Sequence, residues 1–226
     1  SAIEHHLIGA KLTSSKAAAK QMLFRFSGEA WLGVHLGMTG ELSVQPADFT
    51  PRKHDHLVLQ QKEQTLVFSD HRMFGRIQFH VGPHEPTWWT SIAPAIGSAQ
   101  FSVKAVADFL RRRARTPIKA VLLMQERFPG IGNWMADEIL WRAAIHPRRL
   151  AGSLTEKETA TLHKETRWVA RRALETIGET FADPPKTWLF PHRWADGGRC
   201  PKTGAPLVRE DIGGRTTCWS PGRQKL

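Results

Sequence analysis

Tyrosine is absent from this chain, cysteine occurs twice, and acidic residues are outnumbered by basic ones, 21 against 32. Each shortage excludes something. Cys200 and Cys218 cannot make a disulfide framework, although one bridge between them stays open, and a reduced intracellular (cytoplasmic or nucleoid-associated) protein is expected. The longest apolar runs, such as Ala120–Met124, fall far short of the roughly 20 residues a membrane helix needs, so no membrane partner is expected. The opening Ser1-Ala-Ile-Glu-His-His6 lacks the basic-then-apolar pattern of a signal peptide. No internal repeat or low-complexity tract is present. What the acid deficit leaves is a formal charge of +11 and a pI near 10.3, which favours a polyanionic partner, nucleic acid first. The aromatic surface comes from nine Trp and eleven Phe, mostly for the core, with some able to stack on or wedge between bases.

A chain of 226 residues can form one large domain or two small ones. Short strand-like runs occupy Met22–Phe26, Trp31–Leu36, Glu41–Val44, His56–Gln60, Thr65–Phe68 and Arg76–Val81, broken by Gly, Pro, Asp and Ser. They predict an antiparallel β domain. After a Pro- and Gly-bearing connection the period turns helical. Val103, Val106, Phe109 and Leu110 share a face that ends in the cations Arg111–Arg115. Pro117 opens a second predicted helix running to Phe128, a third covers about Trp134 to Ala144, and Ser153-Leu-Thr-Glu156 reads as the capping box of a fourth running to Ile177. Glycine pairs then bracket Ala205–Glu210 and Arg215–Ser220 as a basic β-hairpin. The expected domains are residues 1–85, a linker 86–102, a helical domain 103–192 and a hairpin 193–226.

Between the second and third helices stands Phe128-Pro-Gly-Ile-Gly-Asn133. Gly130 and Gly132 permit a bend without a Cβ penalty, and the helix start beyond them offers unpaired N–H groups and a positive dipole end. The turn fits a phosphate, with Asn133 as an added donor. It equally fits a plain helix–helix connection.

The β-rich half, the helix–Gly-Ile-Gly-Asn–helix and the C-terminal hairpin together resemble the formamidopyrimidine-DNA glycosylase / endonuclease VIII family. The likeness rests on His35-Leu-Gly-Met-Thr-Gly40, Lys53-His-Asp-His56, Ser69-Asp-His-Arg-Met-Phe-Gly75, Gly130-Ile-Gly-Asn133 with Ala136-Asp-Glu138 and Ile145-His-Pro147, and Gly214-Arg-Thr-Thr217. It spans essentially the whole chain. It implies an α+β fold, with an antiparallel β-sandwich and a helical helix–two-turn–helix domain carrying a β-hairpin finger. It further implies a monomer that binds duplex DNA containing oxidised bases or abasic sites in a cleft between domains. The implied activity is base excision followed by β-elimination at the abasic site.

By that resemblance Met38, Arg72 and Phe74 fill the gap left by a flipped nucleotide, where wedges recover part of the few kcal/mol of lost stacking. By pattern alone Met38 and Phe74 read as core residues and Arg72 as a surface cation. The resemblance assigns DNA phosphates to Lys20, His35, Asn133 and Arg215; Lys20 and Arg215 alone would be solvated charge. Met73 stands where the family often has a second arginine.

Two departures matter. The family's finger carries Cys-x-x-Cys twice, whereas this chain has Cys200-Pro-Lys-Thr203 and Ser220-Pro-Gly-Arg223. One thiolate does not hold zinc, and Cys218 lies two residues before the third position. A zincless finger with no cofactor and no metal is expected, its strands kept together by packing of Trp219, Leu207 and Val208. The family also begins with Pro-Glu, the amine that attacks the sugar and the acid that moves its proton. Ser1 and Ala2 do not match, which places Ser1 inside the first domain and leaves the catalytic residues unassigned. The reading is a member truncated at its start, the alternative a non-catalytic lesion- or structure-specific DNA-binding protein, with RNA binding a weaker third. Glu126, Asp137 and Glu138 lie where capping or structural ion pairing is expected of them.

Overall fold

The computed structural model describes residues 1–180 and 182–226. They form two compact units, Ser1–Ile92 and Ala93–Leu226.

The first unit starts with a short helix, α1 (Ala2–Leu7), held by a capping box in which Ser1 and Glu4 bond each other's backbone. Seven strands follow: β1 (Leu12–Ala18), β2 (Gln21–Phe26), β3 (Ala30–His35), β4 (Glu41–Pro46), β5 (Asp55–Gln60), β6 (Gln64–Ser69) and β7 (Arg76–Val81). They build two antiparallel sheets, ordered β1-β2-β3-β7 and β4-β6-β5. Leu32 and Val34 from one sheet meet Leu57 and Phe68 from the other, with Met22, Phe24 and Ile77 against them. This is the expected sandwich. A four-residue helix, α2 (Thr87–Thr90), closes the unit, and the Trp88 ring lies where a side chain on Gly33 of β3 would stand.

The second unit is helical: α3 (Val103–Arg112), α4 (Ile118–Leu122), α5 (Asn133–Ala143) and α6 (Glu156–Ala173), which relaxes into a wider π turn over Leu174–Gly178. Val106, Phe109, Leu110, Val121, Phe128, Ile139, Leu162 and Val169 form its core. The hairpin β8 (Val208–Asp211) and β9 (Thr216–Trp219) completes it.

Two helical expectations are corrected. The helix after Pro117 stops at Leu122 rather than Phe128, because the Gln125 side chain takes over the backbone groups beyond it. Its Oε1 accepts the Gly130 N–H at 3.0 Å, and its Nε2 donates to the Leu123 and Ile131 carbonyls at 3.1 and 3.0 Å. The last long helix is capped by Thr155 with Glu158, since Ser153 ends the preceding 3-10 turn Ala151–Ser153 and its hydroxyl accepts the Arg149 Nε–H instead.

Candidate nucleic-acid interface

In the first unit, two turns are locked onto each other at one end of the sandwich. The β3–β4 turn carries Met38, and residues 70–75 carry Arg72, Met73 and Phe74. Gly37 sits at φ +67°, where a Cβ would strike the Phe74 and Gly75 backbone, so only glycine allows the turns to touch. Asp70, 1% exposed, is the tie between them. Its Oδ1 accepts the Thr39 hydroxyl at 2.7 Å and the Arg72 N–H at 3.2 Å, and its Oδ2 accepts the Gly75 N–H at 2.7 Å. The Thr39 hydroxyl, then the backbone N–H groups, hold its carboxyl down at about 2 against the opposing pull of burial.

The turns present their large side chains outward. Met38 is 64% exposed, Met73 74% and Phe74 56%, so the core assignment that pattern suggests for Met38 and Phe74 does not hold. The Arg72 guanidinium lies 4.9 Å from the Phe74 ring centre, a cation–π contact that stiffens both. Three exposed apolar side chains and one cation on two buttressed turns form a wedge.

Beside this wedge in the register, His35 ends β3 opposite Gln21 and Arg76. The β1–β2 connection is the two-residue turn Ala19-Lys20, with φ +50° and +67°. Such turns favour Asn-Gly, so placing Lys20 there costs on the order of 1 kcal/mol and fixes its direction. The His35 Nδ1 accepts the Gly37 N–H at 3.0 Å, which leaves the ring proton on Nε2. Burial, then the cations Lys20 and Arg76, push its pKa down, so the ring is neutral at pH 7 and still a donor.

In the second unit, the glycine turn and the hairpin are joined. Gly130 has φ +85°, and Gly132 precedes the first turn of α5, which has no side-chain cap. Asn133 Nδ2 donates to the Thr216 carbonyl at 2.8 Å, tying the turn to the residue next to Arg215. Arg215 is exposed at the hairpin tip, where its carbonyl accepts the Ile212 N–H. Beneath lies a buried hub that the sequence announces only as structural charge. Asp137 bonds Lys119, the Arg193 guanidinium at 2.6 and 3.0 Å and the Cys218 N–H at 3.0 Å, while Lys119 Nζ also reaches the Asn133 carbonyl at 2.8 Å. Glu138 accepts the Leu189 and Phe190 N–H groups, and burial pushes its carboxyl up to about 7 against Arg142. Lys119 and Arg193 give no sequence signal beyond their charge.

The finger departs from packing alone. Trp219 turns to the His146 ring and the Glu210 carboxylate, and only Leu207 of the three expected residues joins the cluster of Trp141, Leu189, Cys200 and Cys218. Both cysteines are free and buried, and the described residues hold no group of three or more metal-ligating side chains. No helix among the described residues is long and apolar enough to cross a membrane.

Comparison with known proteins follows the same division. The formamidopyrimidine-DNA glycosylase N-terminal domain matches residues 1–77, and the formamidopyrimidine-DNA glycosylase H2TH domain matches residues 92–184. The formamidopyrimidine-DNA glycosylase of Roseiflexus sp. (strain RS-1) is 37% identical over 216 residues, covering 92% of this chain and 79% of that protein. That of Thermus thermophilus is 36% identical over 226 residues, covering 94% and 82%. Among solved structures, the Lactococcus lactis formamidopyrimidine-DNA glycosylase bound non-covalently to DNA containing an AP site superposes with a TM-score of 0.84 at 25% identity, covering 96% of this chain and 82% of that one. With both domains in order and relatives above one-third identity along nearly its whole length, the chain belongs to the formamidopyrimidine-DNA glycosylase family of DNA-repair glycosylase/AP lyases.

Proposed function

We propose that residues 1–226 recognise duplex DNA at an oxidised or abasic nucleotide, with Met38, Arg72 and Phe74 entering the gap and each unit supplying a pair of backbone contacts, Lys20 with His35 and Asn133 with Arg215. The observation that carries this reading is the wedge. Met38, Phe74 and Arg72 stand exposed on turns fixed by Asp70 and by the Gly37 contact, an arrangement that leaves large apolar surface in water and recovers only the contact between Arg72 and Phe74. Inserted beside an unpaired base, the same side chains replace lost stacking, and Arg72 donates to the orphaned partner. The neutral His35 Nε2–H and the Lys20 ammonium suit adjacent phosphate oxygens, and Arg215 offers a bidentate fork. These residues carry recognition. The bond-breaking amine and acid are assigned to none of them.

Equilibrium titration of the chain with a duplex containing a reduced abasic-site analogue and with its undamaged counterpart tests the reading. A preference of at least about tenfold for the analogue is expected, and the two cationic phosphate contacts, Lys20 and Arg215, contribute about −1.8 to the slope of log K on log salt. Equal affinities, or equally tight binding of duplex RNA at matched salt, would refute it.

His35 adds a pH signature. Its pKa is depressed in the free protein, and a phosphate against Nε2 would raise it, so binding takes up a proton. Affinity should rise as pH falls from about 7.5 to 6, by less than about tenfold, and this dependence should shrink in His35→Asn. An unchanged pH dependence in that variant removes His35 from the contact.

A further inference from the structure

The finger keeps the scaffold of a metal knuckle with the wrong chemistry for a metal. Its four ligand positions hold one thiol, two hydroxyls and a guanidinium, Cys200, Thr203, Ser220 and Arg223, and a divalent cation does not fit beside Arg223. Yet the backbone still folds into two matching turns. The Gly204 N–H returns to the Cys200 carbonyl at 2.8 Å, and the Arg223 and Gln224 N–H groups return to the Ser220 carbonyl at 3.0 and 2.8 Å.

The side chains still converge. Trp141 Nε1 donates to Cys200 Sγ at 3.3 Å, and the Thr203 and Ser220 hydroxyls lie near the same sulfur, the Ser220 Oγ buried without a hydrogen-bond partner among the described residues. Burial pushes that thiol up, but the polar groups around it, first the Ser220 and Thr203 hydroxyls and then Trp141 and the Lys202 N–H, outweigh it and bring it down to about 6. A Cβ on Gly222 would lie 3.5 Å from Thr203 Oγ1 and 3.9 Å from Ser220 Oγ, which puts the second turn directly over the first.

Arg223 then reaches across to α5. Its Nε donates to the Trp141 carbonyl at 2.6 Å and its Nη2 to the Arg142 carbonyl at 2.8 Å. These are last-turn carbonyls of a helix that ends at Ala144 in the left-handed conformation, φ +56°. A guanidinium there supplies a donor to the Arg142 carbonyl, a second donor to the Trp141 carbonyl that also accepts the Ala144 N–H, and a cation at the negative dipole end. It also lies 5.4 Å from the Trp141 ring centre. Gln224 completes the seam, accepting the Ser220 N–H at 2.8 Å and donating to the Ile145 carbonyl at 2.9 Å.

We propose that Arg223 is the positioning residue that replaces the metal, stapling the finger's second turn to the C-terminus of α5 so that Arg215 and the Asn133–Thr216 contact are held for DNA, and that the four ligand positions remain convergent enough to accept zinc once refilled with thiols. The DNA half of this statement rests on the function proposed above; the metal half does not.

The test uses the whole chain, Arg223→Ala, and the triple variant Thr203→Cys/Ser220→Cys/Arg223→Cys, which together with Cys200 restores four thiols. Three readouts are taken: the cobalt(II) absorption spectrum, hydrogen exchange at the amides of residues 216–220, and binding of the abasic-analogue duplex. The parent chain is expected to bind no stoichiometric cobalt and to bind DNA equally with and without chelator. Arg223→Ala should lose protection at residues 216–220 and bind DNA about tenfold more weakly. The triple variant should bind one cobalt ion with the charge-transfer and ligand-field bands of a tetrahedral tetrathiolate, and with zinc it should regain the DNA affinity lost in Arg223→Ala. A triple variant without that spectrum overturns the convergence, and an Arg223→Ala variant with parental exchange and parental affinity overturns the staple. If the parent shows no lesion preference, the function reading fails while spectrum and exchange still decide the staple.

Discussion

Replacing Asp137 with alanine is expected to cost the helical unit about 3–5 kcal/mol, a large share of the 5–15 kcal/mol typical of a domain. The Lys119 and Asp137 side chains are fully buried, and Arg193 is 5% exposed. Removing the carboxylate strands two cations and the Cys218 N–H where water cannot replace it. Such a loss exceeds the deletion of most core methyl groups. The hub also bears on the proposed DNA contacts, since Lys119 holds the Asn133 carbonyl and Asp137 holds β9. DNA affinity should therefore fall together with stability. Burial already pushes Lys119 down in the intact protein, against the pull of Asp137. Without Asp137 the folded state favours neutral lysine while the unfolded chain stays protonated, so the unfolded state binds more protons. The deficit of the variant relative to the parent should then narrow between about pH 7 and pH 9.5. Urea unfolding followed by helix circular dichroism at both pH values measures it. A loss under about 1 kcal/mol would mean that the hub is hydrated or rearranges.

The elements legible in the sequence are those whose burial is local and periodic. β3 is buried from Ala30 to Val34, and α3 buries Val106, Phe109 and Leu110, so apolar residue types announce both. β1 gives no such signal because Leu12-Thr-Ser-Ser-Lys-Ala-Ala18 is an exposed edge strand that pairs, among the described residues, with β2 alone. With no face to bury, it carries no alternation. α1 is too short for a helical period and is fixed by its cap. The end of α4 depends on Gln125 reaching back to Gly130 and Ile131, which no local propensity encodes. At the site, the glycine turn and the basic hairpin are legible as motifs, but their union through Asn133 and Thr216 spans 83 residues. Met38 and Phe74 mislead as residue types, since apolar side chains imply a core. What exposes them is a backbone contact at Gly37 that only the fold creates. Arg223 reads in sequence only as a lost metal-ligand position, and its role as a cap follows from where α5 stops.

Arg72→Ala is expected to separate recognition from folding more cleanly than any other change at the site. The turn that carries Arg72 is held through backbone N–H groups on Asp70, and those bonds survive the substitution. The side chain is exposed, so stability should change by no more than about 0.5 kcal/mol. Binding should respond differently on two duplexes. Opposite an abasic-site analogue, a guanidinium that donates to an orphaned base makes a charge-assisted bond of about 1.5–3 kcal/mol, so its loss weakens binding by roughly 10- to 150-fold. On an intact duplex there is no orphaned base, and the residue is only one cation among many, so a change of a few-fold is expected. The ratio of the two losses is the measurement, taken by titration of both duplexes at one salt concentration. Equal losses would make Arg72 a backbone cation and withdraw it from the gap. Phe74→Ala should behave similarly, and because the guanidinium rests on that ring at 4.9 Å the double variant should lose less than the sum of the two single losses, by at least about 0.5 kcal/mol. Strict additivity would instead mean that the ring and the cation act on DNA independently, and that the wedge is two contacts rather than one.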